Sequence, residues 1–437
     1  MTNSITGSGW QGLWSLYADR RQCVILLMGF SSGLPFLLGF STLSYWFSKE
    51  GVALSTIGGL IAVSAPYSFK FLWAPIFDHV RPPIFGARLG RRRGWLILIQ
   101  LGLICLIFGL GNGDPRESLQ YVAIMAFAMS FMSASQDIIV DAYRIEILAE
   151  REQGAGAAST QVGYRLGLMV SGGGAIALSA FLSWFWIYAL MAGCILVGML
   201  AAFLGNEPDI AELPESQKET QEFQSFKEHI YRMVWVPFSD LLSRPGIIPI
   251  LLFILLFKYG DAIAGSMVLP FFHQLGFSAL EIASVTKIFG VIATLFGVVT
   301  GGLIVAWIGI WPALLLGGCF QAITNIFFAI LSEFGPELGL LSLAIGFDSF
   351  AGGMGSGAFV AYLSALCNRS FTATQFSLLT SIMALGRTLL SVSSGFMADS
   401  LGWFWFFILT TGLALPGLFL LLYLRRQSIS EGVVKGY

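Results

Sequence analysis

The chain has 437 residues, of which 56% are hydrophobic and only 11% charged, with a mean hydropathy of +0.77. A soluble domain averages about 25% charged residues, so apolar runs recurring from about residue 22 to residue 424 make this a polytopic membrane protein without a large soluble domain. The formal net charge of −1 selects no class of partner, and nucleic acid is not expected as one. Cys23, Cys105, Cys194, Cys319 and Cys367 lie far apart in or beside apolar stretches and read as packing residues rather than a disulfide or metal framework. His79, His229 and His273 are scattered without ligand spacing, so no metal, no cofactor and no catalysis are expected.

Met1 to Tyr17 lacks a basic stretch followed at once by a short apolar core, so no cleaved leader is expected. Twelve spans follow, near 22–47, 55–77, 94–112, 119–144, 157–182, 184–205, 245–273, 280–304, 311–331, 337–366, 372–397 and 402–424. The turn at Leu182–Ser183–Trp184 between the fifth and sixth must be tight. Basic residues gather on alternate connections, including Arg20, Arg21, Arg88, Arg151, Lys227 and Arg425, whereas the intervening loops hold only Lys49 and Arg116. By the positive-inside rule both termini are cytoplasmic. The architecture expected is all-α, with a six-helix lobe over 1–205, a cytoplasmic linker over 206–244, a second six-helix lobe over 245–424 and a tail over 425–437. In the linker Phe223, Phe226, Ile230 and Val234 follow helical spacing, which predicts an interfacial amphipathic helix ending near Pro237.

The two lobes read as a duplicated unit. Arg165, Gly172-Gly-Gly and Ser183-Trp-Phe-Trp186 are echoed by Arg387, Ser393-Ser-Gly395 and Gly402-Trp-Phe-Trp405, as expected of transporters built from repeats. Val140-Asp-Ala-Tyr-Arg144 has a weaker echo in Val360-Ala-Tyr-Leu363.

Within the fourth span Ser133, Asp137, Asp141 and Arg144 recur at helical spacing and form one polar stripe. Each bare charge in hydrocarbon costs at least about 2.5 kcal/mol, so such residues face a bundle interior or a water-filled path. The stripe is either an internal ion pair locking two helices or a face that handles protons or substrate; the second reading is favoured. Lys70, Arg165, Lys258, Asp261, Lys287, Asp348 and Arg387 are further interior charges. Lys258 and Asp261 stand three apart and can neutralise each other. The excess of cations points to an anionic substrate, the other reading being that they pair with carbonyls and neighbouring carboxylates.

The connection between the second and third spans carries Asp78, Arg88 and Gly90-Arg-Arg-Arg-Gly-Trp95, a layout that can latch helix ends by charge and dipole. It resembles the cytoplasmic loop signature of the major facilitator superfamily; the counterpart Gly301 to Gly309 keeps glycines but no charges. Phe69-Lys-Phe-Leu-Trp-Ala-Pro-Ile-Phe-Asp78, Ser135-Gln-Asp-Ile-Ile-Val-Asp-Ala-Tyr-Arg144, Lys258-Tyr-Gly-Asp-Ala-Ile-Ala-Gly265 and Phe371-Thr-Ala-Thr-Gln375 together resemble the AmpG-type muropeptide permeases, from the first span to the twelfth. Three extra residues, Ala87-Arg-Leu89, depart from that pattern. The resemblance implies a proton-coupled importer of 1,6-anhydro-muropeptides in the bacterial inner membrane that feeds cell-wall recycling. On that reading Asp137 carries the proton, while Lys70, Arg165 and Arg387 hold substrate carboxylates. Gln136 and Gln161 bind sugar or peptide groups, and Lys258 and Asp261 belong to the same site. Asp78, Arg91, Arg92, Arg93, Asp141 and Arg144 form the gating latch. Tyr67, Trp73, Tyr164 and Tyr259 are either stacking platforms for sugar or packing residues. Substrate, protons and membrane lipid are the partners expected, with the protein a monomer; the alternative is a facilitator-type exporter of drugs or another bulky organic anion.

Overall fold

The computed structural model describes residues 14–52, 63–209 and 226–430, and among them every regular element is a helix. In the first half the principal ones are α1 (Arg20–Leu38), α2 (Ser41–Lys49), α3 (Ala65–Phe69), α4 (Ala74–His79), α5 (Arg91–Gly111), α6 (Leu119–Ile147), α7 (Gln153–Met169) and α8 (Trp184–Leu204). A helix on the linker, α9 (Phe226–Leu242), leads into α10 (Ile247–Leu256), α11 (Tyr259–Leu275), α12 (Gly290–Ile308), α13 (Ile310–Phe334), α14 (Leu338–Ala365), α15 (Thr372–Ser391), α16 (Ser394–Leu413) and α17 (Leu415–Ser430).

Among the described residues nine helices are long and apolar enough to cross a membrane. The three expected spans missing from that set are the second, fifth and eleventh, and they carry Lys70, Arg165 and Arg387. Polar side chains lower the hydropathy of the fifth and eleventh, and the fifth is also interrupted, whereas the second is described only from residue 63 and is broken there. Pro66 and Pro75 open α3 and α4, with a 3₁₀ turn at Lys70–Leu72 between them. A π-helical stretch at Val170–Gly174 follows α7 where the sequence has three successive glycines. The first part of the second span, residues 53–62, lies outside the described residues.

Close backbone approach shapes each half. A Cβ at Gly29 or Gly33 of α1 would collide with the carbonyl oxygens of Thr160 and Tyr164, and one at Gly163 or Gly167 of α7 with those of Leu26 and Phe30. Two small-xxx-small motifs therefore face each other, the arrangement that lets membrane helices associate by van der Waals contact. In the second half Gly297 and Gly301 of α12 meet the Phe350 and Met354 backbone of α14 in the same way. The duplication is visible in the pairing as well: α5 packs on α6 and α8, and α13 correspondingly on α14 and α16. Gly90 and Gly309, both with φ near +85°, open α5 and α13.

The core is divided between the halves. One cluster centres on α1, α5, α6 and α8, and two others belong to the second half. The outward faces stay apolar, as with Trp186, Leu196, Leu200 and Phe203 on α8, which suits hydrocarbon rather than water. One expectation needs correction. The linker helix does not stop at Pro237 but runs through it to Leu242, where the Gln375 amide donates to the Pro237 carbonyl and to Asp240. These tertiary hydrogen bonds anchor the helix beyond the proline. Phe223 lies outside the described residues.

Candidate functional site

At the end of the bundle that carries the linker, Arg92 is wholly buried and its guanidinium is spent on two carboxylates and a carbonyl. Nη2 donates to Asp78 Oδ1 at 2.7 Å and to Glu146, Nε donates to Glu146 Oε2 at 2.9 Å, and Nη1 donates to Phe77 O at 2.9 Å. Asp78 in turn crosses to the other half. It accepts from the backbone N–H of Ala373 at 3.1 Å and of Thr374 at 2.8 Å, and from Thr374 Oγ1 at 2.7 Å. A carboxylate thus caps the N-terminus of α15 from another helix, where the unpaired N–H groups and the dipole both favour an anion.

The arginine cluster is not one unit. Arg91 donates to the Asp78 carbonyl, and Arg93 donates to Ala202 O at 2.6 Å and Phe203 O at 3.2 Å near the end of α8. Glu207 accepts from the backbone N–H of Arg92 at 2.7 Å and of Arg93 at 3.1 Å, so it caps α5. Burial pushes the Glu207 carboxyl up, against the opposing pull of those two N–H groups. Gly90 is required here because a Cβ would run into the Glu207 side chain as well as sit at positive φ.

Arg144 closes the same seam by other contacts. It is fully buried, donates from Nη1 to Ser364 Oγ at 3.0 Å in the opposite half, and lies 5.3 Å from the Phe376 ring centroid on α15. Its distance to Asp141 is 3.6 Å. Arg369 donates to Leu148 O at 3.4 Å, and Tyr17 Oη to Val299 O at 3.0 Å, both across the halves.

Above this seam lie two cavities. The smaller, about 180 Å³, is lined by Ser32, Asp137, Asp141, Arg144, Gln161 and Tyr164. Ser32 Oγ donates to Asp137, a contact made possible by the glycine seam that brings α1 and α7 together. The charge of Lys70 acts on Asp137 from the broken second span, and Lys70 is buried. The larger cavity, about 310 Å³, is lined by Arg165 from the first half and by Lys258, Asp261, Asp348 and Arg387 from the second. Lys258 Nζ donates to Ser356 Oγ at 3.0 Å and stands 3.9 Å from Asp261.

The expected site residues therefore divide. Arg165, Lys258, Asp261 and Arg387 meet in one cavity; Gln161 joins Asp137 in the other, together with Asp141 and Arg144, which had been grouped with the latch. Lys70 lines neither cavity; it is buried, and its charge is felt at Asp137. Gln136 lines neither: it is fully buried and donates to Ser31 Oγ, which also accepts from Gln100. One residue of helix turns the side chain by about 100°, so Gln136 faces the interior of the first half while Asp137 faces the seam. Of the aromatics, Tyr164 reaches a cavity, whereas Trp73 packs on Phe131 and donates to Ser135, and Tyr67 sits edge-on to Phe36. Glu146, Ser32, Ser364 and Asn325 were not singled out beforehand. Only Glu146, a carboxylate two residues after Arg144, carried a signal that a sequence reading could have used.

The sequence matches the Major Facilitator Superfamily over residues 25–349. The anhydromuropeptide permease of Escherichia coli (strain K12) is 38% identical over 414 residues, which is 94% of this chain and 81% of that one. The chain belongs to the anhydromuropeptide permease (AmpG) family of that superfamily. A putative transporter AmpG 1 of Rickettsia prowazekii (strain Madrid E) is 36% identical, with 92% of this chain and 98% of the relative covered. Among solved structures the chain resembles the proton:xylose symporter XylE with a TM-score of 0.65 at 13% identity, covering 94% of this chain and 96% of that one. The human organic anion transporter MFSD10 gives 0.64 at 16% identity, with 92% and 99% covered. These two share the fold.

Proposed function

We propose that the protein is a proton-coupled importer of GlcNAc–1,6-anhydro-MurNAc peptides across the bacterial inner membrane. The observation that carries this reading is the convergence of Arg165, Lys258 and Arg387, from three segments and both halves, on one cavity. Charge-assisted hydrogen bonds to peptide carboxylates are what such cations supply. At about 310 Å³ the cavity stands at the lower end of the ~300–1,000 Å³ of small-molecule sites, so it suits the carboxylate-bearing peptide end rather than the whole glycopeptide.

With both termini and the linker on the cytoplasmic side, the closed seam of Asp78, Arg92 and Arg144 is the cytoplasmic gate and the cavities await substrate from the periplasm. Asp137, which accepts a hydrogen bond from Ser32 and feels the charge of Lys70, carries the coupling proton. The protonated carboxyl no longer opposes the Lys70 charge, which frees that ammonium for a substrate group as the lobes rock about the site. The experiment is uptake of labelled GlcNAc–anhydro-MurNAc tetrapeptide into proteoliposomes with and without an inward proton gradient. Stimulated uptake is expected for the native protein and its loss for Asp137→Asn; gradient-driven accumulation that survives this substitution overturns the coupling assignment. The same cationic cavity fits other bulky organic anions, and competition by such compounds at matched concentration separates that second reading.

A further inference from the structure

Resting on the transport reading above, we propose that Asp261 and Asp348 form a second proton-exchanging centre, which stands in for substrate carboxylates in the empty cavity and takes up protons when those carboxylates arrive. The two aspartates come from α11 and α14 and line the larger cavity, apart from Asp137 in the smaller one. Asp261 Oδ2 faces Lys258 Nζ at 3.9 Å and has no hydrogen-bond partner, while Asp348 Oδ1 accepts from Thr324 Oγ1 at 3.2 Å. The charges acting on Lys258 are Asp261, Asp348, Arg165 and Arg387, and the helix α13 adds only neutral groups to the cavity, among them Asn325. Asn325 is 1% exposed and its Nδ2 has no acceptor, a donor left over in the lining of a cavity built for anions.

Three cations thus face two carboxylates. A peptide bearing several carboxylates cannot join them without crowding like charges, and a carboxylate whose cation is taken by a substrate group is stabilised by binding a proton. Each exchange is –COO⁻ + H⁺ → –COOH, with the proton drawn from water on the side that delivers substrate. When substrate leaves on the other side, Lys258 is free again, its attraction restores the carboxylate, and the proton is released there. The centre makes coupling a property of both halves. The sum of protons moved per substrate then exceeds what Asp137 alone carries.

The test is proton uptake on binding. Purified protein in weakly buffered detergent solution, with a pH indicator dye, is titrated with labelled GlcNAc–anhydro-MurNAc tetrapeptide, and bound substrate is counted in parallel. Native protein and Asp137→Asn are expected to take up protons as substrate binds; Asp261→Asn and Asp348→Asn are each expected to lower uptake per bound substrate, with Asp348→Glu restoring it. Unchanged uptake in both asparagine variants, or none in an Asp137→Asn protein that binds, overturns the second centre and leaves the transport reading standing. Failure of the folded native protein to bind the glycopeptide overturns the transport reading, and this inference with it.

Discussion

Asp78, which is buried, and Arg165, which is half-buried, show how differently two interior charges are treated in one chain. Asp78 accepts four hydrogen bonds, from Arg92, Ala373 and Thr374, so it is fully compensated and fixed. Arg165 faces a cavity, where its guanidinium stays available to a ligand. Arg165→Ala and Arg387→Ala should therefore leave folding intact and weaken substrate. Loss of one charge-assisted hydrogen bond at about 1.5–3 kcal/mol predicts a rise in KM of roughly 10- to 100-fold for each, measured by initial uptake rates. Arg92→Leu should act on stability instead. It leaves the carboxylates of Asp78 and Glu146 buried without their cation, and breaking such a cluster costs about 3–5 kcal/mol, read as a lowered thermal midpoint of the purified protein. The difference between the two arginines was only partly legible in the sequence. Both are arginines in or beside apolar runs, and nothing local says that one meets Glu146, 54 residues away, while the other meets a void.

At the scale of elements, the seam between α1 and α7 carries the site as much as any charged residue does. It sets Ser32 against Asp137 and aims Gln161, Tyr164 and Arg165 at the cavities. Gly33→Val or Gly163→Val would push carbonyl and Cβ together where the helices touch. Membrane helices have no hydrophobic drive to compensate for lost packing, so both variants should fail to reach the membrane in folded form. Gly265→Ala, with nothing within 4 Å of the added Cβ, should express normally; fluorescence-detection size-exclusion profiles make the comparison. Element positions were readable because hydropathy and basic residues are local signals. The breaks at Lys70–Leu72 and Val170–Gly174 were not, although Pro75 and Gly172-Gly-Gly stood in the sequence, since a proline or glycine run permits a break without requiring one.

Across the whole molecule, hydrogen bonds of Asp78, Arg144, Arg369 and Tyr17 tie the halves together at the linker end. On the alternating-access reading proposed above, all of them must part. Asp78→Ala removes the trans cap on α15 and should shift the population toward opening at that end. A cysteine placed at Gln161 should then be labelled faster from the linker side, cytoplasmic on the orientation proposed above, than with the native seam, in a background without the five native cysteines. Equal labelling rates would show that the remaining contacts suffice to hold the gate.

The sequence by itself determined the all-helical membrane class, the membership of the superfamily and which interior residues carry charge. These rest on composition, on periodicity and on motifs confined to one or two helices, and each is a property of neighbours in the chain. Only the tertiary structure decided partnership: that Arg165 of the first half joins Lys258 and Arg387 of the second, that Lys70 serves Asp137, and that Gln136 turns away. The physical reason is that a charge in a low-dielectric interior is defined by what surrounds it. Those surroundings come from helices far apart in sequence, brought together by glycine seams whose register no single segment encodes.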